Sequence, residues 1–219
     1  MQVAVDAVVF TVRHGELCIL LIERKNPPYK GRHALPGGFV KPEESLEDAA
    51  RRELAEETGV KDLFLLQLGT YGAVRRDPRG RIISVAYLAL ISPEQELRAS
   101  DDAVAARWHA ADSLPELAFD HANIVEDALR RLRFEIQTTN IAFQILPRRF
   151  ALSELQKLYE HVLGKTLDKR NFRKRIKELD LLKVTIHTKM EGAHRPARLY
   201  AFASPTYSNI REKVNVFLH

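Results

Sequence analysis

Between positions 38 and 60 the chain reads GFVKPEESLEDAARRELAEETGV, and this stretch restricts the fold more than any other. Ser45 to Thr58 contains neither proline nor glycine, and Leu46, Ala49, Ala50 and Leu54 recur at the spacing of one helical face. Glu53 lies three residues before Glu56 and four before Glu57, so these carboxylates share another face. Such a helix must lay its apolar stripe on a core and offer its acidic stripe to cations or water. Clustered like charges are costly alone, and Mg²⁺ or Mn²⁺, which prefer oxygen ligands, relieve that repulsion and bridge to phosphate oxygens. In isolation the three glutamates would read as a solvated face with i,i+4 pairs such as Arg52 with Glu56. The preceding loop HALPGGFV decides for a site, because Gly37 and Gly38 let backbone amides approach a bound anion.

The stretch fits the pattern G-x5-E-x7-R-E-U-x-E-E-x-G-U, with U apolar, through Gly38, Glu44, Arg52, Glu53, Glu56, Glu57 and Gly59, with Leu54 and Val60 as the apolar positions. A chance match to the fixed identities has a probability on the order of one in a hundred million per starting position, so the signal is specific. The pattern is the signature of the Nudix hydrolases, and the chain resembles that family here. The resemblance implies an α/β/α sandwich and hydrolysis of a nucleoside diphosphate linked to another group. It implies a catalytic set of Glu44, Arg52, Glu53, Glu56 and Glu57, in which Glu53, Glu56 and Glu57 ligate metal, Arg52 orients them and Glu44 supports the site. Water would attack one phosphorus while metal neutralises developing charge. The general base is not placed, and Glu94, Glu96, Asp101 and Glu116 are candidates.

The segment RRDPRGRIISVAYLAL, 75 to 90, resembles the one that follows the Nudix helix in the branch associated with ADP-ribose and NAD metabolism. On that resemblance Gly37, Gly38, Arg75, Arg76, Arg79 and Arg81 are expected around a ligand, the arginines binding its diphosphate or stacking on adenine. The residues alone also permit a plain hairpin turn set by Asp77, Pro78 and Gly80.

Around the box, VAVDAVVFTV, LCILLIER, LFLLQLGTYG, RIISVAYLAL and ARWH read as strands. Cys18, inside LCILLI, is expected to be a buried strand residue. Ile124, Ala128, Leu129 and Leu132 predict a helix from about Phe119 to Phe134, with His121 a packing or capping residue. The polar segment QTTN then marks the expected boundary between a domain at 1–136 and another at 140–219. No window approaches the roughly 18 consecutive apolar residues of a membrane span, and MQVAVDAVVFTVRHG does not resemble a signal peptide, so the chain is expected to be cytoplasmic.

Charge separates the halves more sharply than composition does. From Ile136 onward there are 16 Lys and Arg against 7 Asp and Glu, whereas residues 1 to 135 hold 18 against 22, so the basic half points to a polyanion. A short helix around Ile141 to Leu146 stops at Pro147. Ser153 and Gln156 form an S-x-x-Q capping pattern before Leu155, Leu158, Tyr159 and Val162, and Gly164 ends that helix. TLDKRNFRKRIKELD then places Phe172, Ile176 and Leu179 on one face and six cations largely on the others. LLKVTIH and ARLYAFA flank a tip with Gly192 and Pro196, so helices followed by a hairpin give the order of a winged helix-turn-helix. Thr166, Lys169, Arg170, Asn171, Arg173 and Lys174 are expected to reach DNA bases or phosphates, with Arg195 and Arg198 gripping the backbone from the wing.

With LDKRNFRKRI and HRPARLYAF added to the box, the whole chain resembles the Nudix-related transcriptional regulators of the NrtR family. That resemblance implies an α/β (α+β) chain with an N-terminal Nudix sandwich and a C-terminal winged helix. It implies a repressor of NAD-biosynthesis genes that binds a palindromic double-stranded operator as a homodimer and takes ADP-ribose or a related nucleotide as effector. Relatives of the family respond to sugars instead. Because the Nudix box is complete, an Mg²⁺-dependent ADP-ribose pyrophosphatase is the alternative reading.

Overall fold

The computed structural model describes residues 1–13, 15–60, 63–94, 106–190, 196–204 and 206–210. Its contacts divide the chain into two compact units, Met1–Thr11 with Cys18–Arg131, and Val12–Leu17 with Leu132–His219.

The first unit is built on a seven-stranded mixed sheet. β1 (Gln2–Arg13), β2 (Glu16–Glu23), β3 (His33–Ala34), β4 (Gly37–Phe39), β5 (Phe64–Tyr71), β6 (Ile82–Leu90) and β7 (Arg107–Ala110) contribute to it. Its main path runs β3-β2-β1-β6-β5, with β4 joined to β1 and β7 to β2. β1 lies parallel to β6, from Gln2 opposite Ile82 to Phe10 opposite Leu90. Val5, Ala7 and Val9 on one face of β1 are buried, and so are Val8 and Phe10 on the other, so this strand requires cover on both sides. Helix α1 (Leu46–Thr58) covers the odd-numbered face. Leu54 packs with Ala7, Val9, Leu20 and Ala89, while Ala49 and Ala50 pack with Val5, Val85 and Tyr87. Helix α2 (His121–Thr138) buries a second stripe, which within this unit runs through Ile124 and Ala128. Cys18 is buried within β2, as its apolar neighbours require.

The second unit pairs helices with a small sheet. A 3₁₀ turn (Ile141–Gln144) and β8 (Phe150–Ala151) precede α3 (Leu152–Leu163), α4 (Lys169–Glu178), β9 (Leu182–Lys189) and β10 (Ala197–Phe202). The three strands lie in the order β8-β10-β9, both pairings antiparallel. The rings of Phe150 on β8 and Phe202 on β10 lie 5.2 Å apart, and Phe172 on α4 meets Tyr159 on α3 edge-on at 5.4 Å.

Two local readings need correction. α2 does not stop near Phe134 but runs to Thr138, consuming half of QTTN, and Thr138 and Thr139 return their hydroxyls to carbonyls four residues back. α3 starts two residues before the S-x-x-Q pattern suggests: Ala151 is its N-cap, and Glu154, not Gln156, accepts the Ala151 amide at 2.7 Å. β3, β4 and β8 are two or three residues long, too short to leave an alternation in sequence.

Candidate functional site

Ser45 starts α1 by accepting the Asp48 amide at 3.1 Å, and Gly59 ends it in the left-handed region at φ 73°. Between these caps, Arg52 organises the acidic face. Its guanidinium donates to both oxygens of Glu44 at 2.6 and 2.9 Å, to Glu53 at 2.7 Å, to Glu56 at 3.1 Å and to the Phe39 carbonyl at 3.1 Å. Hydrogen bonds from Arg52 and from the Lys41 amide hold the Glu44 carboxyl at about 2, and Glu44 in turn raises the Arg52 guanidinium. Glu57 has no such cation. It turns inward and accepts the Gly37 amide at 2.9 Å. Burial pushes Glu57 up to about 8, against the Gly37 hydrogen bond and assisted by the charges of Glu53 and Asp6. Among the described residues no three acidic, histidine or cysteine side chains converge as a ready metal cluster, because Arg52 draws Glu53 and Glu56 while Gly37 holds Glu57.

The paired glycines are explained by close approach. A Cβ on Gly38 would lie 2.2 Å from the Glu53 carboxylate, and one on Gly37 would lie 2.2 Å from the Val5 carbonyl oxygen. A side chain on Gly37 would push β4 away from β1, whereas one on Gly38 would displace the Glu53 carboxylate. The Gly37 amide expected to face an anion is donated here to a carboxylate of the protein itself.

Beside this network lies a cavity of ≈ 160 Å³ whose walls include Asp6, Gly37, Gly38, Glu57, Arg76 and His121. Arg76 is buried and forms a two-pronged pair with Asp120 at 2.7 and 2.9 Å, and it approaches Asp6 at 3.5 Å. Burial opposes its charge, but the Asp120 bonds and the Asp6 charge more than compensate, so the guanidinium is raised. His121 accepts the Leu35 amide on Nδ1 at 2.9 Å and places Nε2 3.5 Å from Asp6. Burial depresses this imidazole, which is therefore the neutral tautomer with its proton on Nε2. On another wall, Asp77 holds Arg79 at 2.7 and 3.0 Å. Arg24 is depressed by burial and then by the charge of Arg79, against the charges of Asp77, Glu57 and Asp6, so the cavity wall carries arginines and carboxylates side by side.

In the second unit, the turn between α3 and α4 is fixed by side chains. Gln156 donates to Glu160 at 3.0 Å and to the Leu167 carbonyl at 2.9 Å, while Glu160 accepts the Leu167 amide at 2.8 Å. Asp168 then caps α4 by accepting the Asn171 amide at 2.8 Å. Phe172, Ile176 and Leu179 are buried, so α4 has one rotation about its axis. That rotation exposes Lys169, Arg170, Asn171, Arg173 and Lys174, with Thr166 exposed just before them. Lys174 has a loose ion pair with Glu178 at 3.9 Å.

The sequence-predicted residues thus fall into groups. Glu44, Arg52, Glu53 and Glu56 form one network, Glu57 stands apart against Gly37, and Gly37, Gly38, Arg76 and Arg79 line the cavity. Arg75 and Arg81 are exposed and are not among its lining residues; Arg81 donates to the Gly72 carbonyl at 2.5 Å. Arg198 is exposed on β10, whereas Arg195, Glu96 and Asp101 fall outside the described residues. Glu116 is tied to Arg32 at 2.6 Å, and neither it nor Glu94 lines the cavity. Sequence reasoning missed Asp6, Arg24, Phe39 and Phe119. Asp6 did leave a signal, since an acid inside an apolar strand run must find partners, and it accepts the Ser84 hydroxyl at 2.5 Å.

Comparison with known proteins agrees with this division. Residues 1–131 match the NUDIX domain, and residues 142–202 match the NrtR DNA-binding winged helix domain. The chain is 39% identical over 208 residues to the ADPR responsive transcriptional repressor NtrR of Acinetobacter baylyi, covering 93% of this chain and 82% of the relative. It superposes on Shewanella oneidensis NrtR in complex with a 27mer DNA with a TM-score of 0.79 and 37% identity, covering 91% of this chain and 93% of that one. The NUDIX domain of the same Shewanella protein, complexed with ADP ribose, matches 60% of this chain and 88% of its own length, with 41% identity and a TM-score of 0.56. A complete Nudix box on α1 and a cation-faced winged helix, matched together across nearly the whole length, establish that the chain belongs to the NrtR family of Nudix-related transcriptional regulators.

Proposed function

We propose that the protein is a DNA-binding transcriptional repressor whose Nudix domain senses ADP-ribose, or a closely related nucleotide, and releases its operator when the cavity fills. The observation that carries this reading is the outward face of α4, where Lys169, Arg170, Asn171, Arg173 and Lys174 are all exposed on a helix that Phe172 and Ile176 lock in one rotation. Arginine pairs two-pronged with guanine and asparagine with adenine in the major groove, while lysine neutralises phosphates. The operator is palindromic double-stranded DNA read by a homodimer, the regulated genes serve NAD metabolism, and the protein works in the cytoplasm. The family resemblance and the DNA-bound Shewanella relative support this assignment. In the first unit, Arg76 and Arg79 provide positive charge for a diphosphate. A relative responsive to ADPR, and another seen with ADP ribose, favour this effector over the sugars that other members use.

Control requires the nucleotide to favour one arrangement of the DNA-reading helices, and a coupling of about 1–3 kcal/mol would change operator affinity roughly 5- to 150-fold. A gel shift with the protein's own upstream DNA tests it. A sequence-specific complex that ADP-ribose dissolves is expected, and a complex indifferent to sequence and nucleotide would contradict the reading.

One observation favours a second activity alongside the first: the Nudix box is complete and its Arg52 network is assembled. The oxygen-only donor set of Glu53, Glu56 and Glu57 suits Mg²⁺ or Mn²⁺, and these residues would hold the ion. When bound, the cation supplies charge neutralisation on the pyrophosphate. Arg52 positions Glu53 and Glu56, and Glu57 must give up the proton that burial favours. Release of AMP from ADP-ribose that vanishes in Glu56→Gln is expected. Absence of turnover in the unmodified protein with Mg²⁺ or Mn²⁺ would confine the domain to ligand binding.

A further inference from the structure

Leu167 is the last residue before the N-cap of α4, and both of its backbone groups are held by side chains of α3. Its amide donates to Glu160 Oε1 at 2.8 Å, and its carbonyl accepts from Gln156 Nε2 at 2.9 Å. The same Gln156 nitrogen donates to Glu160 Oε1 at 3.0 Å, joining two side chains that lie one helical turn apart. Glu160 also holds the start of the turn, because its backbone carbonyl accepts the Gly164 amide and, at 3.2 Å, the Lys165 amide. Glu154 closes the capping box of α3, which leaves Gln156 to serve the turn instead. The base of this clamp is itself anchored: Arg133 on α2 donates to the Val162 carbonyl of α3 at 3.0 Å.

Phe172 and Ile176 set the rotation of α4 about its axis, but an apolar stripe that short does not by itself set where the helix begins. Lys169, Arg170 and Asn171 follow the clamped residue within the first turn, and all three are exposed. A two-pronged contact to a base edge needs donors and acceptors in a fixed place, whereas a cation neutralises a phosphate over a wider range of positions. Gln156 and Glu160 are only partly buried and lie outside the apolar core, so folding depends little on them, since such hydrogen bonds exchange with water for a small net gain. A carboxylate beside a DNA-reading helix would by charge alone disfavour phosphates. The two hydrogen bonds accepted by Glu160 Oε1 account for its presence. We infer that Gln156 and Glu160 are positioning residues for base readout, which set the entry of α4 and so the discrimination between the operator and other duplexes, without being DNA contacts themselves. The inference rests on the repressor reading and deepens it.

The probes are two fluorescent duplexes of equal length, one from the protein's own upstream DNA and one with that sequence scrambled, titrated with the full-length protein at several salt concentrations. The unmodified protein should prefer the first. Glu160→Ala should narrow that preference about 5-fold or more, the consequence of disturbing a base contact. The salt slope, which counts phosphate contacts, should not change, and the scrambled duplex should bind at least as well as before. Glu160→Gln removes the same charge but keeps an acceptor for the Leu167 amide, so it should retain the preference. Gln156→Leu, which keeps bulk and loses the donor, should behave like Glu160→Ala and decides the matter if that variant alone fails to fold. Equal weakening on both duplexes, or a loss in Glu160→Gln as large as in Glu160→Ala, would overturn the positioning role. So would a preference left intact in Glu160→Ala and Gln156→Leu, with DNA reading still in place. Loss of the folded second unit in both variants, seen in melting curves, would mark the two residues as structural and overturn the role as well. No preference by the unmodified protein would overturn the repressor reading and this inference with it.

Discussion

Helices α1 and α4 are both amphipathic and both pack through a short apolar stripe, yet they treat their charges in opposite ways. On α1 the charges are wired to one another: Arg52 bonds to Glu44, Glu53 and Glu56, and only Glu57 is left to the cavity. On α4 the cations Lys169, Arg170, Arg173 and Lys174 face solvent, with the loose Glu178 contact as Lys174's ion pair. A charge set neutralised internally is a preorganised site for a small ligand. One left outward is a docking surface whose partner must bring the opposite charge. Where the charge is compensated therefore distinguishes the two jobs better than how much charge each helix carries.

The largest expected effect breaks the comparison on the α4 side. Replacing Arg170 and Arg173 together by alanine should cost about 1–3 kcal/mol for each base contact removed, read as lost operator affinity, with ADP-ribose binding unchanged. The apolar stripes should behave alike despite the contrast above them. Leu54→Ala and Ile176→Ala should each lower the stability of their unit by about 2–5 kcal/mol in denaturant melts, since both side chains are fully enclosed.

The carboxylates of the α1 region offer a pH test with opposite signs. Glu57 rises from 4.5 to about 8 on folding, so its contribution is fully present below the unfolded value and is lost as pH climbs through about 8. Without divalent metal, stability should fall between those limits by a few kcal/mol at most, and Glu57→Gln should flatten the profile. Glu44 is lowered to about 2, so its contribution is present above 4.5 and disappears as pH falls through about 2. Arg52→Ala should return the Glu44 carboxyl toward 4.5 in an NMR titration. The smallest effect is Lys174→Ala, which should weaken all duplexes about equally and lower the salt slope of binding by about one.

Much of this contrast was legible in the sequence. The spacing of Glu53, Glu56 and Glu57 against Leu46, Ala49, Ala50 and Leu54 fixes which face of α1 is acidic, and Phe172, Ile176 and Leu179 do the same for α4. What was not legible is pairing over long sequence separations. Asp6, Arg76, Asp120 and His121 meet only after β1, the 75–81 turn and the start of α2 are assembled, and no local period announces them. The arginine cluster looked uniform for a related reason. Only the fold distinguishes Arg76, turned inward to Asp120, from Arg75 and Arg81, left at the surface. The end of α2 was misplaced because a polar run was read as a linker, whereas Thr138 and Thr139 bond to the helix's own carbonyls.

The claim joining the two halves is that nucleotide in the first unit and DNA on the second are thermodynamically coupled, and coupling must be reciprocal. The direct measurement is calorimetric titration of the full-length protein with ADP-ribose, once alone and once saturated with its own operator duplex. ADP-ribose should bind roughly 5- to 150-fold more weakly to the DNA-loaded protein, by the same factor with which it weakens operator binding. Equal affinity in the two titrations would contradict the account.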